Sequence, residues 1–218
     1  MQGLHTEEPT LLRHTIQQGD HLPALAQRYA FQNYETIWNH PDNAELKQLR
    51  KNPNVLLPGD EVTIPDRQMG SAGVATGKVH RFKVRPSSLA LRLVILTWSR
   101  RPRANEACAL AVEGDSRDLT TDGDGKVERT IAATDRRAAV ALDDVEVPID
   151  IGYLDPIDEP SGWQGRLINL GYLESLIDDE EEQDLRSAIE EFQCDQGMTV
   201  TGRCDTATRQ KILEVHGV

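Results

Sequence analysis

The sequence predicts an α+β chain made of separate modules, and three observations carry that reading. Apolar residues recur at helical spacing between short strands in 13–66, switch to period two in 79–154, and return to helical spacing from 155 onward. A glycine-containing stretch without periodicity separates the first two textures. No apolar run reaches the length of a membrane span; the best candidate, Leu89 to Thr97, is far too short. The expected division is a tail over 1–12, a first module over 13–66, a linker over 67–78, an all-β domain over 79–154 and a helical domain over 155–218. For a chain of 218 residues each module is small, so its core must be economical.

In the first module His14-Thr-Ile-Gln-Gln18 alternates as a strand, and Gly19-Asp20 supplies a turn with an acid placed to cap the next helix. Leu22, Leu25, Ala26 and Tyr29 then fall on one helical face, with Pro23 tolerated in the first turn. Tyr34, Ile37 and Trp38 mark a second short helix, and Pro41-Asp42-Asn43 opens a third that carries Ala44, Leu46 and Leu49. Asn52 to Asp60 reads as a proline-clamped loop and turn leading into the strand Glu61-Val-Thr-Ile-Pro65.

The middle segment offers strands at Val79 to Val84, Leu89 to Thr97, Ala107 to Glu113, Lys126 to Ile131, Ala138 to Leu142 and Val145 to Ile151. Their number and spacing predict a β-sandwich. Thr121-Asp-Gly-Asp-Gly125 is the clearest hairpin signal, and the near-continuous apolar run from Leu89 suggests a strand buried on both faces. From Asp155 onward three amphipathic helices are expected. Their faces are Trp163, Leu167 and Leu170; Leu185, Ala188, Ile189 and Phe192; and Thr208, Ile212 and Val215. Gly171 and Gly197 read as helix ends, and the acidic run Asp178 to Asp184 precedes the second helix, where its dipole favours carboxylates.

The formal charge is −12, of which residues 156–218 hold −9. Such a balance argues against nucleic acid, because no basic excess exists to release phosphate counterions. Arg100, Arg101 and Arg103 form the one local basic patch, suited to anionic cell-wall polymer or to the acidic C-terminal domain. Met1 to His14 shows no basic region followed by an apolar one, so the reading expects synthesis in the cytoplasm without a Sec signal. Cys194 and Cys204 leave two outcomes open, a disulfide or two reduced space-fillers, with Cys108 a strand filler.

No catalytic pattern emerges. The six histidines (His5, His14, His21, His40, His80, His216) lack metal-ligand spacing, no G-x-S-x-G elbow occurs, and no carboxylate stands isolated in an apolar motif as a proton donor. A calcium loop opening at Asp122 fails, since Lys126 and Ala133 fall where ligands are required. The expectation is a non-enzymatic chain with no cofactor and no metal. Trp38, Trp98 and Trp163 are weighed between core filling and sugar stacking, and the structural role is favoured for each; Trp98 opens the polar stretch Ser99 to Arg103, which leaves exposure open to it.

Two resemblances sharpen this. His14-Thr-Ile-Gln-Gln-Gly-Asp20 paired with Asn54-Val-Leu-Leu-Pro-Gly-Asp-Glu-Val-Thr-Ile-Pro65 resembles a LysM module of β-α-α-β order. That resemblance implies binding of glycans containing N-acetylglucosamine in a shallow groove lined by Gly19, Asp20, His21 and Leu22 on one side and Asn54, Val55, Leu56 and Leu57 on the other. The stretch Trp38 to Arg50 is longer than in the compact module and stands to narrow or bury that groove. Gly165-Arg-Leu-Ile-Asn-Leu-Gly-Tyr172, Ala188-Ile-Glu-Glu-Phe-Gln193 and Gly197 to Thr208 resemble a peptidoglycan-binding domain of the three-helix type. It implies a second wall-binding surface, with Tyr172, Gln193, Asp205 and Thr208 as candidates; Asp205 also reads as a helix cap. The middle segment resembles transthyretin-like or carboxypeptidase-regulatory-like sandwiches. The whole layout resembles bacterial proteins often encoded near type VI secretion or contractile phage-tail-like machines. It implies peptidoglycan as partner, a component or effector of such a machine as a further one, and delivery to the periplasm or a target cell. Two rival readings are an adaptor with repurposed wall modules and a regulator of a neighbouring wall hydrolase.

Overall fold

The computed structural model describes residues 11–67, 76–80, 88–178 and 182–218. The expected tail up to residue 10, most of the linker, the core of the Val79 to Val84 strand, His5 and part of the acidic run lie outside these residues. The chain divides into two compact units, one of Met1–Leu91 with Thr130–Asp135, the other of Arg92–Arg129 with Arg136–Val218.

The first unit begins with strand β1 (Leu12–Thr15), helices α1 (Leu22–Arg28) and α2 (Glu35–Trp38), a 3-10 turn at Pro41–Asn43, helix α3 (Ala44–Arg50) and strand β2 (Glu61–Ile64). β1 and β2 pair antiparallel, Leu12 opposite Ile64 and Thr15 opposite Glu61. Helices this short are unstable alone, so packing supplies their stability. Ile16, Leu22, Leu25, Ile37, Trp38, Leu56, Val62 and Ile64 form the shared core, with Tyr29, Phe31, Tyr34 and Leu46 against its margin. α3, the added length seen in the sequence, buries no residue of its own. It is tied down at both ends. Asn43 donates through Nδ2 to the carbonyls of Ile37 and Thr63 (both 2.8 Å) and accepts from the Thr63 amide (2.8 Å), while Arg50 reaches Asp60.

The β region contains β3 (Ser88–Val94), β4 (Ala107–Val112), β5 (Asp115–Thr120), β6 (Lys126–Ala132), β7 (Arg137–Leu142) and β8 (Val145–Asp150). β3 pairs with β6, and the other four form an antiparallel sheet in the order β5-β4-β7-β8. Cys108, Val127 and Leu142 form a small core with Leu93, Ile95, Leu119 and Val140, so side chains of both sheets contribute to it. Two expectations are corrected here. β3 is not buried on both faces: Leu89, Leu91 and Leu93 are half-buried, whereas Ala90, Arg92 and Val94 are exposed. The Asp122 to Gly125 turn does not close a hairpin, because β5 and β6 belong to different sheets. It is an Asx turn, with Asp122 Oδ1 accepting from the amides of Asp124 and Lys126 (both 2.9 Å). Gly125 is required there. A Cβ at this residue, whose φ is +74°, would lie 2.6 Å from the Ile95 carbonyl oxygen.

The C-terminal region holds helices α4 (Pro160–Asn169), α5 (Gln183–Asp195) and α6 (Thr206–His216). Trp163, Leu167, Leu185, Ala188, Ile189, Phe192 and Ile212 converge in one core. The predicted faces are therefore the packed ones, except that Val215 is exposed. Gly171 and Gly217 take left-handed conformations at helix ends. Among the described residues, no helix is long and apolar enough to cross a membrane.

Candidate binding surfaces

The two Gly-Asp turns of the first unit are built alike. In Gln17-Gln18-Gly19-Asp20 and in Leu57-Pro58-Gly59-Asp60 the glycine has positive φ (86° and 97°), and the aspartate amide donates to the carbonyl three residues earlier. The carboxylate turns back to accept from that same residue's amide, at 3.2 Å from Gln17 and 2.9 Å from Leu57. An arginine then pairs with each acid. Arg28 donates to Asp20 (3.1 Å), and Arg50 makes a bidentate pair with Asp60 at 2.8 and 2.9 Å. Asp20 also meets His14 Nε2 at 2.9 Å, whose Nδ1 lies 3.0 Å from the Tyr29 hydroxyl. Burial alone would raise the Asp20 carboxyl. The bond to His14, the Gln17 amide and the charges of Arg28 and His14 outweigh it and hold the group below its ordinary value.

This geometry corrects the groove inferred from the sequence. Asp20 does not cap α1; its carboxylate points back into the turn, and His21 occupies the cap position with no side-chain capping bond to the helix. Gly19, Asp20, His21, Leu22, Val55 and Leu56 are all buried, Leu57 is half-buried, and only Asn54 is exposed. Leu22 and Leu56 are core residues, and the Leu22 amide donates to the Pro53 carbonyl (3.0 Å), which draws the two loops together. A recess of this unit lies elsewhere, a shallow cleft of about 340 Å³ lined by Leu12, Arg28, Tyr29, Phe31, Ile64 and Arg67.

In the helical region the central polar residue is Gln193, 1% exposed. Its Nε2 donates to Thr201 Oγ1 (3.0 Å), the Arg203 carbonyl (3.1 Å) and Thr208 Oγ1 (2.9 Å). Its Oε1 accepts from the amides of Thr201 (2.7 Å) and Gly202 (3.1 Å). One amide side chain thereby ties down residues 201–203 of the loop between α5 and α6. Asp205 caps α6 by accepting from the Thr208 amide at 2.8 Å. Gln193 and Thr208 are thus interior residues, not the surface groups inferred from the sequence, and Asp205 spends its carboxylate as a cap. Gln164 plays the same part at the other end of the domain, accepting from the Ile177 amide (2.8 Å) and donating to its carbonyl (2.9 Å). A recess of about 270 Å³ opens beside it, lined by Pro160, Ser161, Gln164, Leu176, Ile177 and Asp178.

Residues 163–212, which span these hubs and all three helices, match the family model described as a peptidoglycan binding domain. The helical region is therefore similar to a peptidoglycan-binding domain over these residues. No curated protein and no solved structure matches the chain.

Within the peptidoglycan-binding domain, Tyr172 is the remaining sequence candidate, and it is already in contact. Its ring packs edge-on against Phe192 at 5.3 Å, and its hydroxyl donates to Asp195 (3.0 Å). The Arg100 guanidinium from the β3–β4 connection lies over the ring face, 3.9 Å from the centroid. The same guanidinium pairs with Glu191 at 2.8 Å and Asp195 at 3.0 Å. Burial and the Asp195 carboxylate push the Tyr172 phenol upward. Of the basic patch, Arg100 therefore meets the acidic domain, as one of the two sequence readings had it, while Arg103 pairs with Glu106 and Asp143.

Several structural residues gave no sequence signal. Arg166, 1% exposed, donates to the oxygens of Asp155, Gly162 and Val218. Its burial lowers its pKa to about 10. His216, near that buried cation, is driven down to about 4 by desolvation first and by the Arg166 charge second. No disulfide joins Cys108, Cys194 or Cys204. Among the described residues no cluster of three or more His, Cys, Asp or Glu side chains could hold a metal ion.

Proposed function

We propose that this chain is a non-catalytic peptidoglycan-binding protein in which the C-terminal domain supplies the main wall contact. The observation that carries the reading is the family match over 163–212, laid on an intact three-helix core. The first unit is read as a LysM-like module for N-acetylglucosamine-containing glycan, and the middle strands as a sandwich spacer. Two weak sites on one chain gain avidity through effective concentration, which gives a physical reason for carrying both. We further read the protein as an accessory of a contractile secretion machine that would carry it to the periplasm or a target cell after cytoplasmic synthesis.

Co-sedimentation of the intact chain with purified sacculi tests this. Retention that soluble muropeptides compete away, without release of reducing sugars or free amines, is the expected result. Release of either product would end the non-catalytic reading.

A second reading, an adaptor whose first module docks a protein, is favoured by one specific finding. Six of the eight groove residues are buried, in a unit whose added helix α3 buries no residue of its own. Failure of sacculus retention, together with stable co-purification of a machine component, would favour it.

A further inference from the structure

The connection between β3 and β4 ends in a tight, cross-braced turn. Leu96 and Pro102 bridge its two sides. The Thr97 amide donates to Arg101 O (2.8 Å) and the Arg100 amide to Thr97 O (2.9 Å), while Thr97 Oγ1 accepts from the Arg101 amide (3.1 Å). Trp98 stands at the tip, 97% exposed, whereas Trp38 and Trp163 are 6% and 5% exposed. Leaving a whole indole in water forgoes a large burial gain, and the turn that presents it is held by hydrogen bonds. Two residues further on, Arg100 adopts a left-handed backbone (φ 56°) and spans to Tyr172, Glu191 and Asp195 of the peptidoglycan-binding domain. The turn is therefore fastened to that domain through Arg100, two residues from the indole.

We propose that Trp98 is a stacking platform for a sugar ring of the glycan strand, and that the Arg100 clamp makes it part of the same binding surface as the peptidoglycan-binding domain. The proposal rests on the wall-binding reading above. A pyranose presents a flat C–H face that suits the electron-rich face of an indole, and the braced backbone of the turn limits the entropy lost on stacking. The residues beside Trp98 in the turn are polar. Thr97 and Ser99 share a hydroxyl hydrogen bond (3.0 Å), and Arg101 is exposed. Hydroxyl and guanidinium neighbours match the hydroxyl and carboxylate groups of a wall polymer. A protein-binding hot spot would instead sit within a surround of contacts that excludes water.

Because Trp98 is the one exposed indole of three, acrylamide quenching of tryptophan emission in the intact chain reports on it selectively. Saturation with muropeptides released from sacculi by a muramidase is expected to reduce quenching about twofold or more. Trp98→Ala is expected to weaken sacculus affinity about two- to tenfold with the melting curve unchanged, and Trp98→Phe to retain part of the affinity. Arg100→Ala is expected to weaken binding too, with the double variant little worse than either single one, since both act on one feature. If the wild-type chain is retained on sacculi but Trp98→Ala binds equally well, or Trp98 stays fully quenchable at saturation, the proposal is overturned and the wall-binding reading stands. A wild-type chain that sacculi do not retain would overturn both.

Discussion

The Gly-Asp turns of the first unit and the Gln193 loop of the peptidoglycan-binding domain satisfy irregular backbone inside a small fold, but with different chemistry. In the first unit the work falls to buried charges, with Asp60 clasped by Arg50 in a pair whose side chains are 9% and 7% exposed. In the second a neutral amide makes five bonds. A charge left without its partner in a buried setting costs more than an orphaned amide, so the two regions should differ in how they fail.

The largest expected effect is in the charged turn. Asp60→Ala takes the paired carboxylate away from the buried Arg50 guanidinium, and should cost about 3–5 kcal/mol, read as an early unfolding step of the first unit in urea. Gln193→Leu fits the space but strands the amides of Thr201 and Gly202. It should cost about 3 kcal/mol, confined to the helical region and visible as a loss of hydrogen-exchange protection there. If the amide variant proves the more damaging, the contrast between the two chemistries is wrong.

Acid sharpens the comparison further. His216 is neutral in the fold, with its pKa lowered to about 4. Its contribution is complete above the ordinary value of 6.5 and is lost as pH falls toward 4, on the order of 2 kcal/mol after allowance for partial exposure. The Asp20 carboxyl lies below its ordinary 3.8, so its contribution is complete above that pH and is lost only below it. Acid titration followed by thermal unfolding should thus weaken the helical region first, and His216→Gln should flatten the slope between pH 6.5 and 4. The smallest effect is expected for Asn54→Ala. As the exposed member of the inferred groove, it should change stability by less than about 0.5 kcal/mol. Any loss of sacculus retention in this variant would therefore come from the groove itself.

What the sequence revealed followed the strength of its periodic signals. The helix faces around Leu167, Phe192 and Ile212 were legible because three apolar rows have to meet in one core. β5 (DSRDLT) was missed because it is almost wholly exposed and carries no apolar alternation. It is held as an edge by its pairing with β4. The inferred binding residues that turn out to be interior share a reason. Polar residues beside glycine turns look like ligand contacts in a linear reading, yet a module with so small a core must use them to close its own loops. Asp20, Gln193 and Thr208 are all spent in this way. Arg100 and Tyr172 are 72 positions apart, and no local pattern marks such a pairing; only their opposite-charge surroundings hinted at it.

Asn43 carries one consequence beyond its own module. By bonding both the amide and the carbonyl of Thr63, it occupies the outward-facing groups of β2, where a foreign strand would otherwise add. A two-stranded sheet with that side open would invite strand-by-strand polymerisation at high concentration. A single carboxamide blunts it, so replacing Asn43 should produce a protein that self-associates as much as one that unfolds.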